Sequence, residues 1–187
     1  MTQVMPLIRN GVNIDQMFGT LDAVKANPSL GTFKWRATNK WLGGSHNRST
    51  IKPFYGAGGE DTTRQVTFTA DAGEPGILLG HDEGPNPAEF LLHALAACLT
   101  TSVVYVASAR GVVLDSVESS IEGDMDVRGA LGLSDDVRNG FTAIRVTFAI
   151  QAQAPREKIE EVVRRAYARS AVFDSINAGV PVQVSVA

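Results

Sequence analysis

Only one cysteine, Cys98, occurs in this chain, which excludes an intrachain disulfide framework and any metal site built from several thiolates. A lone free thiol suits a reducing compartment, and residues 1–10 lack a basic stretch followed by an apolar run. Cytoplasmic localisation is therefore the expectation. Histidines are few as well. His46, His81 and His93 include no pair at i,i+4 or His-x-His spacing, so no metal and no other cofactor is expected. Charge of one sign is not in excess: 17 Lys and Arg stand against 20 Asp and Glu, for a formal net charge of −3. Nucleic-acid binding requires a clustered basic face. The nearest cluster, Arg164, Arg165 and Arg169, is interleaved with Glu157, Glu160 and Glu161 at helical spacing and reads as a solvated helix face. No nucleic-acid partner is expected, and internal repeats and low-complexity tracts are absent.

What the chain does have is apolar content. At 44% hydrophobic residues over 187 positions it can bury a core, and its length suits one domain, or one domain with an N-terminal extension. Residues 90–109 contain no Asp, Glu, Lys or Arg over 20 positions, nominally enough to cross a bilayer. The run includes His93, Thr100, Thr101, Ser102 and Ser108 and many alanines, and its flanks read as strands. It is expected to be the buried central helix of a water-soluble domain, with no membrane partner.

The elements can be placed by pattern. Asn13 with Gln16 has the spacing of an N-cap and its reciprocating amide, and Ile14, Met17, Phe18, Leu21 and Val24 form the apolar stripe of a helix that Asn27-Pro28 closes. Residues 32–42 read as extended, Gly43-Gly44 as a turn, 49–55 as a strand pairing back, and Val66, Phe68 and Ala70 as part of a third strand. The irregular stretch 71–87 ends at Asn86, an N-cap with Pro87 at N1 and Glu89 at N3, opening the long helix that runs to Arg110 and stops at Gly111. Strands follow over 113–126 and 142–153, separated by a loop at 129–140. A charged amphipathic helix from Pro155 to about Arg169, a short helical piece at 170–176 and a last strand over 180–186 complete the chain. The fold class is thus α+β, in the order α-βββ-α-ββ-αα-β, with residues 1–30 as an N-terminal helical extension and 31–187 as the main domain.

By residue type alone, a cysteine in an apolar helix packs as a small hydrophobe. Its surroundings carry more information. Asn86-Pro87, then Glu89 to Leu92, then Ala94-Leu95-Ala96-Ala97-Cys98 resembles the signature of the OsmC/Ohr family of hydroperoxide-resistance proteins. The resemblance extends to Ala109-Arg110-Gly111, to Gly123-Asp124, Gly129 and Gly132, and to Ser170 through Asp174 with Val180-Pro181-Val182, so it covers roughly residues 33–186. It implies an OsmC-like fold, an intertwined homodimer with sites at the interface, and thiol-dependent reduction of organic hydroperoxides at Cys98. It also implies an arginine from the N-terminal strands that activates the cysteine and a glutamate that holds the arginine.

The chain departs from that pattern at three positions. Ala88 directly follows Asn86-Pro87, where the family has its glutamate. Glu89 comes one residue later, about 100° around the helix, and serves equally as a capping-box residue. The arginine that follows Gly43-Gly44 is displaced to Arg48, with Arg36 and Arg64 as alternatives. The family's second, resolving cysteine corresponds to Ser170, so the reductant must be an external thiol. Cys98 lies about twelve residues into its helix, too far for the helix dipole to favour a thiolate. Glu89 and Cys98 are separated by roughly 13 Å of helix, so a strand arginine or a second subunit must complete the site. The catalytic candidates are Cys98, Arg48 and Glu89; the binding candidates are His46, in the same turn as Arg48, His93, expected as a buried or interface histidine, and Ser170. Two further readings compete: a non-catalytic dimer that binds a small apolar or thiol ligand in its interface pocket, and a structural dimer with an inert thiol.

Overall fold

A computed structural model describes residues 5–186. In chain order the elements are β1 (Ile8–Arg9), β2 (Val12–Asn13), α1 (Ile14–Ala26), β3 (Ala37–Gly43), β4 (His46–Ile51), β5 (Tyr55–Gly56), β6 (Gly59–Glu60), β7 (Phe68–Ala72), α2 (Pro87–Ala109), β8 (Leu114–Asp124), α3 (Val127–Ala130), β9 (Ala143–Ala152), α4 (Arg156–Tyr167) and α5 (Ala171–Asn177). The mixed α+β class expected from the pattern is the observed one. The chain divides into two units, the first Met1–Leu7 with Asn13–Phe90, the second Ile8–Val12 with Leu91–Ala187.

In the first unit, α1 begins where Asn13 Oδ1 accepts the Gln16 N–H at 3.0 Å, satisfying one orphan donor of the first turn. Its far end is closed at Asn27, whose side chain also caps the 3-10 turn Pro28–Gly31. An antiparallel sheet in the order β3-β4-β7 follows. The turn between β3 and β4 is built on Gly43 and Gly44, both at positive φ, where a side chain would be strained. Pairing resumes at once after this turn, so β4 starts at His46 rather than near Ser49. That corrects one expectation: His46 and Arg48 are strand residues, two apart, and not members of a turn. Phe33, Trp35 and Phe54 stack on one another, and the Arg64 guanidinium lies 4.9 Å from the centre of the Phe54 ring.

In the second unit, β8 and β9 form an antiparallel ribbon with Val117 opposite Ile150, Ser119 opposite Phe148 and Ile121 opposite Val146. Their period of two turns Ile144, Val146, Phe148 and Ile150 inward, as the alternation predicts, and Arg145 outward to Glu122 at 2.7 Å and Asp124 at 2.6 Å. The core is formed by Val103 and Ala107 of α2, Val112, and Val162 and Ala166 of α4, packed against Val117, Phe148 and Ile150. Two alanines among these core residues let backbone approach closely. Only one stripe of α2 is buried, Leu95, Leu99, Val103 and Ala107 at i, i+4, i+8 and i+12, with Ser108 beside it. The buried central helix expected from the sequence thus buries one stripe within the single chain and leaves Leu91 and Tyr105 exposed. By length and composition alone α2 could cross a bilayer.

A second correction concerns the C-terminus. Val180, Val182, Val184 and Val186 alternate as a strand would, but residues 180–186 pair with no strand among the described residues, and all four valines are exposed. Alternation specifies a strand's faces and does not supply the edge that must hydrogen-bond to it.

Residues 8–12 are tied into the end of α2. Asn10, at φ 49°, donates from Nδ2 to Ser108 Oγ at 3.0 Å and to the Val112 carbonyl at 2.9 Å, and its Oδ1 accepts the Leu114 N–H at 2.9 Å. Arg9 Nη1 donates to the Ser108 carbonyl at 2.6 Å. One short turn thus satisfies backbone groups left over where α2 stops and β8 begins.

Candidate functional site

Cys98 sits on α2 one position before the buried Leu99, so its side chain lies at the margin of the buried stripe and is half-buried. The group it meets is Ser170. This serine precedes α5 as its N-cap, with only 1% of its surface exposed. Its Oγ accepts the Phe173 N–H at 3.2 Å and donates to Cys98 Sγ at 3.1 Å. Two expected site residues separated by 72 positions are therefore in direct contact within the second unit. A buried hydroxyl aimed at a half-buried sulfur can stabilise negative charge there, because a hydrogen bond to an ionised acceptor is stronger than one to a neutral acceptor.

The remaining candidates are placed as follows. Arg48 on β4 stands directly opposite Asp71 on β7, and donates from Nε at 2.8 Å and from Nη2 at 3.1 Å to its two carboxylate oxygens. His46 Nε2 lies 2.9 Å from Asp71 Oδ1, so both site candidates of β4 converge on one carboxylate. These contacts hold the Asp71 carboxyl below its ordinary range, the Arg48 hydrogen bond first and the His46 hydrogen bond second, and the same pairing raises the Arg48 guanidinium. Asp71 carries no motif; its cross-strand place opposite Arg48 is the only signal, and it needs the strand register to be visible. Glu89 makes a reciprocal capping box: its Oε2 accepts the Asn86 N–H at 2.8 Å, and Asn86 Oδ1 accepts the Glu89 N–H at 2.8 Å. His93 is exposed on α2, so of the two expected settings, buried or interface, it is not buried within the single chain.

The family model described as OsmC-like protein matches residues 80–185, more than half of the chain and including both Cys98 and Ser170. The chain belongs to the OsmC-like family. No curated protein matches it. Among solved structures, this OsmC-like chain is similar to an OsmC like protein from Mycoplasma pneumoniae, at 18% identity and a TM-score of 0.58, over 77% of this chain and 87% of that one. It is also similar to an osmotic stress induced and detoxification response protein from Psychrobacter arcticus 273-4, at 15% identity and a TM-score of 0.55, over 76% and 88% of the two chains. A third likeness is to an organic hydroperoxide resistance protein OsmC from Legionella pneumophila, at 16% identity and a TM-score of 0.51, over 78% and 90%. At such identities these likenesses speak to the fold. Within the OsmC-like chain, Arg48 and His46 precede the family match, whereas Glu89 and His93 fall inside it.

Proposed function

We propose that this OsmC-like chain reduces organic hydroperoxides through Cys98, with an external thiol as reductant, and so serves in resistance to oxidative stress. The observation that carries this reading is the contact of the family helix's half-buried cysteine with a fully buried hydroxyl 3.1 Å away, in a chain with no second thiol. The Cys98 thiolate attacks the distal oxygen of ROOH; the O–O bond breaks, the alkoxide leaves and takes a proton to become the alcohol, and the sulfur becomes a sulfenic acid. An external thiol then displaces water to form a mixed disulfide, and a second thiol releases Cys98 as the external disulfide departs. The cation that favours the thiolate is assigned in this reading to Arg48, whose fork Asp71 fixes in one orientation. The acting species is a homodimer in the cytoplasm. Its support is the unpaired, exposed face of residues 180–186 and the exposed Leu91 and Tyr105 of α2.

The test is direct. After cumene hydroperoxide, a dimedone adduct is expected on Cys98 and absent from Cys98→Ser; a wild-type protein that forms no adduct while its thiol remains free overturns the reading. The second reading, a dimer that binds a small apolar or thiol ligand without turnover, is favoured by the closed Asn86–Glu89 capping box, which engages the only carboxylate in the first turn of α2. It predicts that Cys98→Ser keeps full ligand binding.

A further inference from the structure

Ser170 is held more tightly than an N-cap requires. It is 1% exposed, and its oxygen stands between two partners: the Phe173 N–H that it accepts at 3.2 Å and the Cys98 sulfur at 3.1 Å. A serine hydroxyl has one hydrogen to donate. With the Phe173 N–H directed onto the oxygen, that hydrogen is free to point at the sulfur, and the order N–H to Oγ, then O–H to Sγ, makes a short relay in which each bond polarises the next. No other side chain among the described residues hydrogen-bonds Cys98.

We propose that Ser170 is a second group, beside the cation assigned to Arg48, that holds and stabilises the ionised form of Cys98, so that a hydroxyl at the N-cap of α5 takes part in the reaction at this sulfur. The inference rests on the thiol chemistry proposed above, since a thiolate donor has a purpose only if the thiolate reacts. Its physical basis is that a hydrogen bond made to the charged form favours that form. A buried donor also cannot be replaced by water when it is removed, because the site that held it has no solvent access. The contact further fixes the side chain of Cys98, which leaves the sulfur's remaining directions to the hydroperoxide and then to the reducing thiol.

The test uses the full chain and two variants without the hydroxyl, Ser170→Gly and Ser170→Ala, with Ser170→Thr as the variant that keeps it. Glycine is tolerated at N-caps at a cost of only a few tenths of a kcal/mol, so the helix start is preserved while the donor is lost. Thiolate absorbance in the ultraviolet is followed against pH on each folded protein. In Ser170→Gly and Ser170→Ala the thiolate fraction at neutral pH is expected to fall about tenfold and the profile to move to higher pH, whereas Ser170→Thr keeps the wild-type profile. If one hydroxyl-free variant fails to fold, the other carries the measurement. A wild-type profile in a folded hydroxyl-free variant overturns the inference. The titration needs no turnover, so it separates from the dimedone experiment: an adduct on the wild type with an unmoved profile removes the role of Ser170 and leaves the peroxidase reading standing. A moved profile without any adduct does the reverse.

Discussion

Arg48 and Asp71 face each other across β4 and β7 and are joined by two hydrogen bonds, with His46 as a third party on the same carboxylate. A guanidinium paired in this way uses Nε and one N–H of Nη2, and keeps its other donors for a further anion. The orientation of Arg48 is therefore set by a neighbour in its own sheet, independently of the carboxylate that is missing at Ala88.

The pair makes stability depend on pH in a definite direction. Asp71 has a folded-state pKa below its unfolded value, so its contribution is fully present above about pH 4 and is lost as pH falls through the depressed folded value. Thermal unfolding followed from neutral pH to below pH 4 is expected to show a steeper fall of Tm in wild type than in Asp71→Asn. Parallel curves for the two proteins would mean that the pair contributes nothing to folding.

Much of the fold was legible because local chemistry determined it. The cap at Asn13, the start of α2 at Asn86-Pro87 and the inward face of β9 each follow from a few neighbouring residues. What was not legible depends on partners distant in sequence. Composition puts the start of β4 near Ser49 because His46-Asn47-Arg48 is poor in β-formers, whereas the Gly43-Gly44 turn determines where pairing begins. The small helix α3 overlaps the start of the loop expected at 129–140, since four residues are too few for a period to appear. Asn10 and its partners lie about a hundred positions apart, and no pattern within a strand or helix reports such a contact. In the candidate site, the family resemblance singles out Cys98 and Ser170, whereas their hydrogen bond and the pairing of Arg48 with Asp71 depend on contacts made only in the folded chain.

Asn10 offers a sharp test of the turn that closes α2. Its side chain makes three hydrogen bonds and its backbone is left-handed, a conformation that asparagine adopts at lower cost than alanine. Asn10→Ala is expected to lose about 2–4 kcal/mol of unfolding free energy in urea. Asn10→Gly loses the same bonds without the strain and is expected to be the milder by about 1 kcal/mol. An alanine variant as stable as wild type would show that residues 8–12 merely lie against α2.

Gly123 tests packing in the opposite sense to propensity. It pairs with Ile144 in the β8–β9 ribbon, and a Cβ there would come within 2.5 Å of the Phe141 ring. Alanine in a strand normally gains over glycine. Here it must push the ring aside, and Gly123→Ala is expected to destabilise by about 1–3 kcal/mol. A more stable variant would show that Phe141 moves freely.

Residues 180–186 bear on assembly. A segment that pairs with no strand among the described residues and exposes four alternating valines is a candidate to pair as an edge with another chain. Light scattering is expected to give a dimer for the full chain and monomer for a chain ending at Gly179. A monomeric full chain at micromolar concentration overturns the homodimer.

The distance between Ser170 and Cys98 also predicts what a thiol in place of the hydroxyl would do. Oγ and Sγ are 3.1 Å apart, and a disulfide requires ~2.05 Å, so the introduced sulfur must close by only about 1 Å. Under the proposed peroxidase chemistry, hydroperoxide would first oxidise Cys98 of Ser170→Cys to the sulfenic acid; the introduced thiol would then attack that sulfur and water would leave. The variant is expected to lose both titratable thiols with one equivalent of hydroperoxide, form no dimedone adduct, and recover both thiols with dithiothreitol. Wild type, having no resolving partner, is expected to accumulate the adduct instead. If the variant keeps one free thiol and forms the adduct as wild type does, the two side chains do not meet in the geometry that the hydrogen bond describes.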